Sequence, residues 1–417
     1  MNSCSSLQQM VRDRILKHWH ERSTAVKTVY FMIYDMGAGH RSTANALKEV
    51  IAQQNLPWRV EIVEVLREVL GTTFPQYFYN HFVLKQKWAK AINDSISVPI
   101  FKVKIQLLHQ VWLQRLREFW RDRQPDLVVS LMPLVNRVLC ESLRLECPGI
   151  PFVTSITDFA DCPPHFWIEP QEQFLICPSQ RAMQQAKAFG YADENLFQTS
   201  GVVIHPRFNQ PLALSSGIAD AAARQQERQR LGLQPDLPTG LITFGSHGSR
   251  DMIEIADRLE QSNLDLQLIF ICGRNEVLAR ELRQRPSRFP RFVEGFTPQI
   301  PYYMHLADFF IGKPGSVGIS EAIAMKLPVI TECNPVMTLF QERASADWLA
   351  EQEMGIVVRQ FREVPQAVAQ LLPSETFSRY RANVEAYHNQ AVFEVVSYLE
   401  TILKGSDLKA VPKLIQV

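Results

Sequence analysis

The chain has 417 residues, of which 46% are hydrophobic and 21% are charged, and its formal net charge at pH 7 is +1. This length exceeds what one hydrophobic core usually supports, so we expect two domains of ordinary size. The near-zero net charge excludes a nucleic-acid-binding protein that relies on bulk positive charge. Any basic surface must therefore be local.

The first structural unit opens with a β-branched and aromatic run, 27–34, that predicts a strand. A glycine-rich turn, 35–41, and a helical pattern follow, which is how a parallel sheet begins. Further strands are predicted at 59–65, 126–131, 151–157 and 173–176, with helices between them such as 133–145 and 179–189. We therefore expect a doubly wound α/β domain over residues 24–205, preceded by an N-terminal extension of residues 1–23.

Residues 74–122 interrupt this alternation with aromatic residues interleaved with lysines and arginines. Some of the apolar residues, Trp112 among them, follow helical spacing and make one face. One interpretation is a helix packed on the core, with its basic residues in solvent. The other is a membrane-surface element in which Phe82, Trp88 and Trp112 contact lipid, because basic residues beside interfacial aromatics suit an anionic headgroup region.

A polar loop, 157–167, follows directly after a predicted strand and contains Asp158, Asp161 and His165. Loops at the carboxyl ends of parallel strands are where functional groups tend to lie in this fold. One histidine and two aspartates could hold a metal ion, but in a loop with two prolines they more often hydrogen-bond to the loop backbone. We therefore predict no metal site here.

Between residues 206 and 240 the pattern lapses into prolines around a short polar helix, which indicates an interdomain linker. A second Rossmann-like domain is then predicted over residues 241–372, followed by a helical segment, 373–405, and a tail, 406–417. Its predicted strands are 241–244, 266–271, 291–293, 308–311 and 329–331, and its predicted helices are 251–260, 276–284 and 299–305. Two such domains place ligand sites at the carboxyl ends of both sheets, so we expect the active site in the cleft between them.

Two glycine-rich turns in the second half each connect a predicted strand to a predicted helix, at Thr243 to Gly248 and at Gly312 to Glu321. Such a junction presents free backbone N–H groups and the positive end of a helix dipole, which together make an anion site. A turn of this kind can also serve tight packing alone. Two of them in one domain nevertheless fit a diphosphate better than either does by itself.

His40 follows the first glycine turn, at the predicted start of the first helix, and is therefore expected to point into the cleft. A lone histidine is usually structural. Here the helix N-terminus disfavours imidazolium, which keeps the ring neutral and able to accept a proton near pH 7. This position favours a general base.

The seven cysteines are scattered, with no Cys-x-x-Cys pair and no histidine at zinc-site spacing, which predicts reduced thiols. No window approaches the ~20 apolar residues of a spanning helix, and the polar segment 1–22 does not resemble a secretory signal. The sequence therefore predicts a cytoplasmic protein that is able to lie on a membrane without crossing it.

In motif order, the chain resembles the monogalactosyldiacylglycerol synthases and, more distantly, the peptidoglycan N-acetylglucosaminyltransferase that makes lipid II. Both are nucleotide-sugar glycosyltransferases of the GT-B fold, in which two Rossmann-like doubly wound domains face each other across a cleft. The likeness runs in order from about residue 28 to about residue 358. The motifs that carry it are Gly37-Ala38-Gly39-His40-Arg41, Thr157-Asp158, His165-Phe166-Trp167, Cys177-Pro178-Ser179, Ile271-Cys272-Gly273-Arg274-Asn275, Glu294-Gly295-Phe296, the stretch from Gly312 to Leu327, and Gln341-Glu342.

The resemblance implies a role for each motif. His40 would be the general base or an acceptor-site residue, Asp158 would support it or the acceptor, and Gly39 and Arg41 would lie on the acceptor side. The donor-binding residues would be Gly245, Ser246 and Gly248 for the diphosphate, Gly315 and Ser316 in the second turn, Arg274 and the backbone near Phe296 for the nucleoside, Glu321 for the ribose hydroxyls, and Gln341 and Glu342 for the sugar.

The implied reaction is transfer of a hexose from a UDP-sugar to a lipid such as diacylglycerol at a membrane surface. It would invert the anomeric centre by in-line attack, with helix N-termini rather than a metal stabilising the departing diphosphate. The resemblance implies no cofactor beyond the UDP-sugar co-substrate. The alternatives are the same enzyme class with a soluble or isoprenoid-linked acceptor, a non-catalytic nucleotide-sugar-binding protein, and a sugar epimerase of the same fold.

The chain departs from the family pattern at both donor turns. The Pro-Gly-Thr of the second turn becomes Ser316-Val317-Gly318, and the Gly-Gly-Gly-Glu-Gly of the first becomes Gly245-Ser246-His247-Gly248. Each turn still permits an anion site, although His247 would add charge beside the phosphates. The base and the sugar of the donor therefore stay open.

Overall fold

The structure, a computed structural model, describes residues 26–35, 39–72, 98–210, 218, 220–336 and 338–405. These residues form two parallel sheets of six strands each, with helices on both faces. The strands are β1 (Lys27–Ile33), β2 (Trp58–Glu64), β3 (Leu127–Ser130), β4 (Phe152–Ser155), β5 (Phe174–Cys177), β6 (Leu196–Gln198), β7 (Thr239–Thr243), β8 (Gln267–Ile271), β9 (Arg291–Glu294), β10 (Phe309–Gly312), β11 (Val329–Glu332) and β12 (Gly355–Val358).

The helices fall between the strands and after the last strand. They are α1 (Gly39–Gln53), α2 (Val98–Arg121), α3 (Asn136–Glu146), α4 (Gln180–Ala188), α5 (Ala221–Arg230), α6 (Asp251–Glu260), α7 (Glu276–Gln284), α8 (Ile300–Leu306), α9 (Ser316–Ala324), α10 (Phe340–Glu351), α11 (Val364–Leu371), α12 (Ser374–Ala386) and α13 (Ala391–Lys404).

The first sheet has the strand order β2-β1-β3-β4-β5-β6, and every neighbouring pair is parallel. Its central strands are buried on both faces, as the nearly continuous apolar run of β1 requires in a parallel sheet. The chain leaves β1 on one side to form β2 and returns on the other side to form β3. The strand order therefore reverses between β1 and β3, and a crevice opens there at the carboxyl ends of the strands.

The second sheet has the strand order β12-β11-β10-β7-β8-β9, again entirely parallel. Its order reverses between β7 and β10, the two strands that the glycine-rich turns follow. Residues Thr239–Thr243 and Phe309–Gly312 pair directly along these strands. The topology thus brings both predicted anion turns to the switch point at the carboxyl ends of the central strands, which is where ligands bind in open α/β sheets.

The predicted strands all form, while two short edge strands, β6 and β12, escaped prediction because three or four residues carry little periodic signal. The predicted helical stretch 374–404 is two helices. α12 packs against the second half, where Tyr380 and Val384 are buried in its cores. α13 instead crosses back and buries one face against α1 and the first sheet.

Hydrogen bonds hold the chain where it returns to the first half, just before and within α13. The Asn389 amide donates to the carbonyl of Val202 at 2.9 Å, and the Glu394 carboxylate accepts from the backbone N–H of Ser200 at 2.7 Å. The last helix is therefore a structural part of the N-terminal half, although it lies at the end of the chain.

α2 packs its apolar face on the first sheet, which corrects one prediction. Trp112 is only 4% exposed and lies in the core with Trp120, so its assignment to a lipid-contacting face is wrong. Phe82 and Trp88, the other two predicted lipid contacts, lie outside the described residues. The same helix leaves Val103, Leu107 and Val111 exposed at 53%, 79% and 50%, four residues apart along another face. Over the ranges that the structure describes, no helix is both long enough and apolar enough to span a bilayer.

Candidate active site

The two halves touch at the start of α9. A Cβ atom added to Gly39, the first residue of α1, would lie 3.8 Å from Val317 Cγ2, which is ordinary van der Waals contact. The Ser316 hydroxyl donates to the carbonyl of Thr157 at 2.7 Å and lies 3.3 Å from Asp158 Oδ1. The acceptor-side turn, the loop after β4 and the second donor turn therefore converge on one place.

An aromatic contact holds the base of this cleft. The Phe159 and Trp348 rings stack with centroids 4.2 Å apart and an interplanar angle of 16°. A surface ion pair of 3.0 Å between Arg181 and Asp347, the residue before Trp348, also joins the two halves. This junction could not be predicted from the sequence, because isolated aromatic residues in separate domains show no shared pattern.

His40 is placed by the switch point of the first sheet. Its Nδ1 lies 2.6 Å from the carbonyl oxygen of Leu131, the residue that follows β3. A carbonyl only accepts, so Nδ1 carries the proton and Nε2 of the neutral ring is the accepting nitrogen. Burial lowers the pKa of His40 to about 4, against the raising effects of the Leu131 hydrogen bond and of Asp35. A pKa this low keeps the ring neutral at pH 7 through burial, and it makes His40 a weaker proton acceptor than the prediction of a general base near pH 7 requires.

Asp158 lies between the two halves and is hydrogen-bonded by both. The Trp167 indole N–H donates to its Oδ2 at 3.0 Å, and the Ser316 hydroxyl shares its one proton between the Thr157 carbonyl at 2.7 Å and Asp158 Oδ1 at 3.3 Å. Burial raises the pKa of Asp158 to about 7, with a further raising effect from Glu342, while Trp167, Ser316 and Lys313 lower it. A carboxyl group with a pKa in this range suits proton transfer near neutral pH.

The two predicted catalytic residues are joined through Trp167 rather than directly. The Trp167 ring is fully buried, and its centroid lies 6.1 Å from that of the His40 ring. Within the described part of the chain, no hydrogen bond links His40 to Asp158. Direct support of His40 by Asp158 is therefore not the arrangement seen, and Trp167 is a site residue that the sequence argument named only as part of a motif.

Asp161 confirms the loop interpretation of the 157–167 segment. Its carboxylate accepts three backbone N–H bonds, from His165 and Phe166 at 2.9 Å each and from Trp167 at 2.6 Å. These bonds fix the loop that presents Trp167 to the cleft. Across the described ranges, no group of three or more His, Cys, Asp or Glu side chains has the arrangement needed to hold a metal ion.

Two glycines allow the first predicted donor turn, 245–248, to pack closely against the loop 272–274 that follows β8. Gly248 has a φ of +60°, and a Cβ there would lie 2.7 Å from the carbonyl oxygen of Cys272. Gly273 has a φ of +58°, and a Cβ on it would clash with the carbonyl of Ser246. Arg274 N–H donates to that same carbonyl at 2.8 Å. The predicted diphosphate turn and the predicted nucleoside loop are therefore one rigid unit.

Arg274 and Phe296 form the exposed wall beside this turn. The guanidinium carbon of Arg274 lies 4.5 Å from the centroid of the Phe296 ring, and that ring is 56% exposed. A stacked cation and aromatic ring at a strand end offer a flat surface for a planar base. Both residues remain predicted nucleoside contacts.

Glu321 lies in α9, and its side chain has no hydrogen-bond partner among the described residues. Burial raises its pKa to about 7, and the positive charge of Arg207, from the segment between the halves, lowers it. A partly buried carboxyl group without a bond is suited to receive hydroxyl groups from a ligand. Its prediction as the ribose contact stays open and is consistent with this geometry.

The first turn of α10 supplies the predicted sugar contacts. Glu342 is 6% exposed and pairs with Lys313, whose Nζ lies 2.6 Å from Glu342 Oε1, whereas Gln341 is partly exposed. On the acceptor side, Arg41 is held by two bonds of 2.6 Å to Asp35 at the end of β1. Lys313 was missed as a site residue, although it lies inside the glycine-rich stretch.

Two parallel six-stranded sheets, each with its strand order reversed at a central switch point, define the GT-B fold. Residues 40–204 match the family described as monogalactosyldiacylglycerol (MGDG) synthase. Residues 239–399 match the glycosyltransferase family 28 C-terminal domain. The chain is accordingly a glycosyltransferase similar to the monogalactosyldiacylglycerol synthases.

Relatives and solved structures agree with this assignment. The chain is 24% identical to monogalactosyldiacylglycerol synthase 2 of Arabidopsis thaliana over 90% of this chain and 81% of that protein. It is also 24% identical to the processive diacylglycerol beta-glucosyltransferase of Bacillus subtilis, over 92% and 96% of the two chains. The crystal structure of MurG from Acinetobacter baumannii matches with a TM-score of 0.59 at 15% identity, over 90% of this chain and 99% of that one, which shows the fold.

Proposed function

We propose that this enzyme transfers a hexose from a UDP-sugar to a diacylglycerol-like lipid at a membrane surface, with inversion of the anomeric centre. The observation that carries the proposal is the contact of Ser316 with Asp158 across the cleft. It brings a carboxyl group with a pKa near 7 to the N-terminus of the helix that would receive the donor diphosphate. A proton acceptor and an anion site at one position are what in-line glycosyl transfer requires.

In the proposed reaction, Asp158 accepts the proton of the acceptor hydroxyl. The oxygen of that hydroxyl forms a bond to the anomeric carbon while the bond from this carbon to the diphosphate breaks. The electron pair of the broken bond remains on the diphosphate. His40, with a pKa of about 4, is too weak a base to keep the proton and instead orients the acceptor hydroxyl through Nε2.

Two observations support a lipid acceptor. The curated relatives named above are synthases and transferases of diacylglycerol glycolipids. The exposed stripe of Val103, Leu107 and Val111 on α2 adjoins Lys102 and Lys104 in the sequence. Apolar residues beside basic ones suit the interface of an anionic bilayer.

The test of the reaction is incubation of the purified chain with vesicles that contain diacylglycerol and an anionic lipid. UDP-galactose, UDP-glucose and UDP-N-acetylglucosamine are supplied one at a time, and the glycolipid product is analysed by NMR. We expect a β-linked product from the α-linked donor. An α-linked product would contradict inversion, and transfer only to an isoprenoid-linked or soluble acceptor would contradict diacylglycerol as the substrate.

The test of the membrane surface is sedimentation with anionic vesicles. Leu107→Glu places a charge in the exposed stripe and should reduce the bound fraction, because burial of a charge in the interface is costly. Val277→Glu is the matched control, since Val277 is 69% exposed on α7 in the other half. Equal binding by both variants would contradict membrane contact through α2.

A further inference from the structure

Lys313 stands directly after β10, at the entry to the second donor turn. Its Nζ forms an ion pair of 2.6 Å with Glu342 Oε1. The two side chains differ in access, because the lysine is 33% exposed and the glutamate is 8% exposed. The positive end of the pair is therefore the end that a ligand in the cleft can reach.

This ion pair lies against the N-terminus of α9. A Cβ atom added to Gly315, the N-cap residue of that helix, would lie 3.5 Å from Lys313 Nζ and 3.9 Å from Glu342 Oε1. The first backbone N–H groups of the helix, at Ser316, Val317 and Gly318, donate to no described acceptor. An anion bound there would meet these amides and the Lys313 ammonium together.

The same pair also acts on the acceptor side. Lys313 lowers the pKa of Asp158 and Glu342 raises it, so both charges lie close enough to Asp158 to be felt there. The Lys313 charge therefore acts on the proton acceptor, and its ammonium lies beside the anion turn. This is the region in which negative charge develops when a glycosidic bond to a diphosphate breaks.

We propose that Lys313 is a catalytic residue that neutralises the departing diphosphate, and that Glu342 competes with the diphosphate for the Lys313 ammonium. The inference rests on the proposed function. Hydroxyl groups of the sugar donate to the Glu342 carboxylate and weaken this competition, so the ammonium contacts the β-phosphate oxygen that receives the electron pair of the breaking bond more strongly when the sugar is present. Lys313 transfers no proton and forms no covalent bond, because its contribution is electrostatic.

The first experiment compares UDP with uridine by isothermal titration calorimetry. Lys313→Gln should weaken UDP binding on the order of tenfold to a hundredfold, the range for loss of a charged hydrogen bond, and leave uridine binding unchanged. Lys404→Gln is the matched control, because Lys404 makes a similar pair of 2.7 Å with Glu400 at the end of α13. Equal weakening of UDP and uridine would show a structural role and overturn the proposal.

The second experiment uses a change of opposite expected sign. Glu342→Gln removes the charge that retains Lys313, so UDP should bind several-fold more tightly than to the wild type, while the preference for UDP-sugar over UDP should fall. Lys313→Arg keeps the positive charge and should retain most of the UDP affinity. If Glu342→Gln weakened UDP binding as much as Lys313→Gln does, the proposed competition of Glu342 for Lys313 would be overturned.

Turnover separates this inference from the proposed function. Lys313→Gln should lower kcat on the order of a hundredfold to a thousandfold, as loss of one donor to developing charge does. An unchanged kcat would overturn the catalytic role even if UDP binding weakened. If the wild-type chain formed no glycolipid, the proposed function would fail, while the calorimetry would still decide whether Lys313 binds the diphosphate.

Discussion

Asp158 and Glu321 are two carboxyl groups in one cleft, and burial raises the pKa of each to about 7. Asp158 is hydrogen-bonded by Trp167 from its own half and by Ser316 from the other half. Glu321 has no such bond within the described ranges and feels only the charge of Arg207. The raised pKa is thus common to both, and the hydrogen-bond partners distinguish them.

This difference separates preorganisation from ligand binding. A carboxyl group that the protein itself orients is ready to act on a substrate before the substrate arrives. A carboxyl group without partners gains its hydrogen bonds only when a ligand supplies them. We therefore assign Asp158 to chemistry and Glu321 to donor binding, and each of the following experiments tests that division.

The largest expected effect is on turnover. Asp158→Asn removes the proton acceptor and should lower kcat about 10²–10⁴-fold, the usual contribution of general base catalysis, with little change in UDP affinity. Glu321→Gln should instead raise the KM for the donor on the order of tenfold and lower kcat less. Steady-state kinetics with vesicle-borne acceptor measures both. Equal losses of kcat in the two variants would remove the distinction between the two carboxyl groups.

The next effect is on the stability of the free enzyme at pH 8. The folded-state pKa of each acid lies above its unfolded value, so its ionisation costs stability as the pH rises from about 4 to about 7, and the loss is complete above the folded-state pKa. Glu321→Gln should remove this cost and raise the free energy of unfolding at pH 8 by roughly 1–3 kcal/mol, with little gain at pH 4. Asp158→Asn should gain less, because asparagine has one acceptor oxygen and can keep only one of the two contacts that Trp167 and Ser316 make with the carboxylate. Denaturant titration at both pH values checks this order, and a larger gain for Asp158→Asn would reverse it.

A smaller effect is expected on the pH profile. Trp167→Phe keeps a buried ring but removes the N–H that stabilises the ionised Asp158, so the limb of kcat/KM near pH 7 should move up by about 1 pH unit. Trp120→Phe is the matched control, because the Trp120 N–H donates to Ser142 at 3.1 Å in the core of the same half. A shift of the limb in both variants, or in neither, would contradict the positioning of Asp158 by Trp167.

The smallest effect is expected at the contact between the halves. Ser316→Ala removes bonds to Thr157 and Asp158 and should lower the free energy of unfolding by about 0.5–1.5 kcal/mol. Ser320→Ala on the same helix should cost less, because its buried hydroxyl has no hydrogen-bond partner among the residues that the structure describes. Thermal unfolding of the two variants compares them directly. Equal destabilisation would indicate that the Ser316 contact adds nothing.

The order of strands and turns could be predicted because apolar runs and glycine punctuation are local signals. The convergence of Gly39, Asp158 and Ser316 followed from one rule, that ligands bind at the carboxyl ends of parallel strands. Trp112 could not be assigned correctly, since helical spacing gives a face but does not say whether that face meets protein or lipid. The pairing of Lys313 with Glu342 joins residues 29 positions apart and is visible only after folding.

The position of α13 has a consequence for how the chain is made. Ala391, Val392, Val395, Val396 and Leu399 are fully buried in the core that α1 and the first sheet form. A ribosome that has synthesised residues 1–205 has therefore not yet supplied one wall of that core. The core of the N-terminal half therefore reaches its final packing only after α13 has been synthesised, and this half cannot complete its folding from residues 26–205 alone.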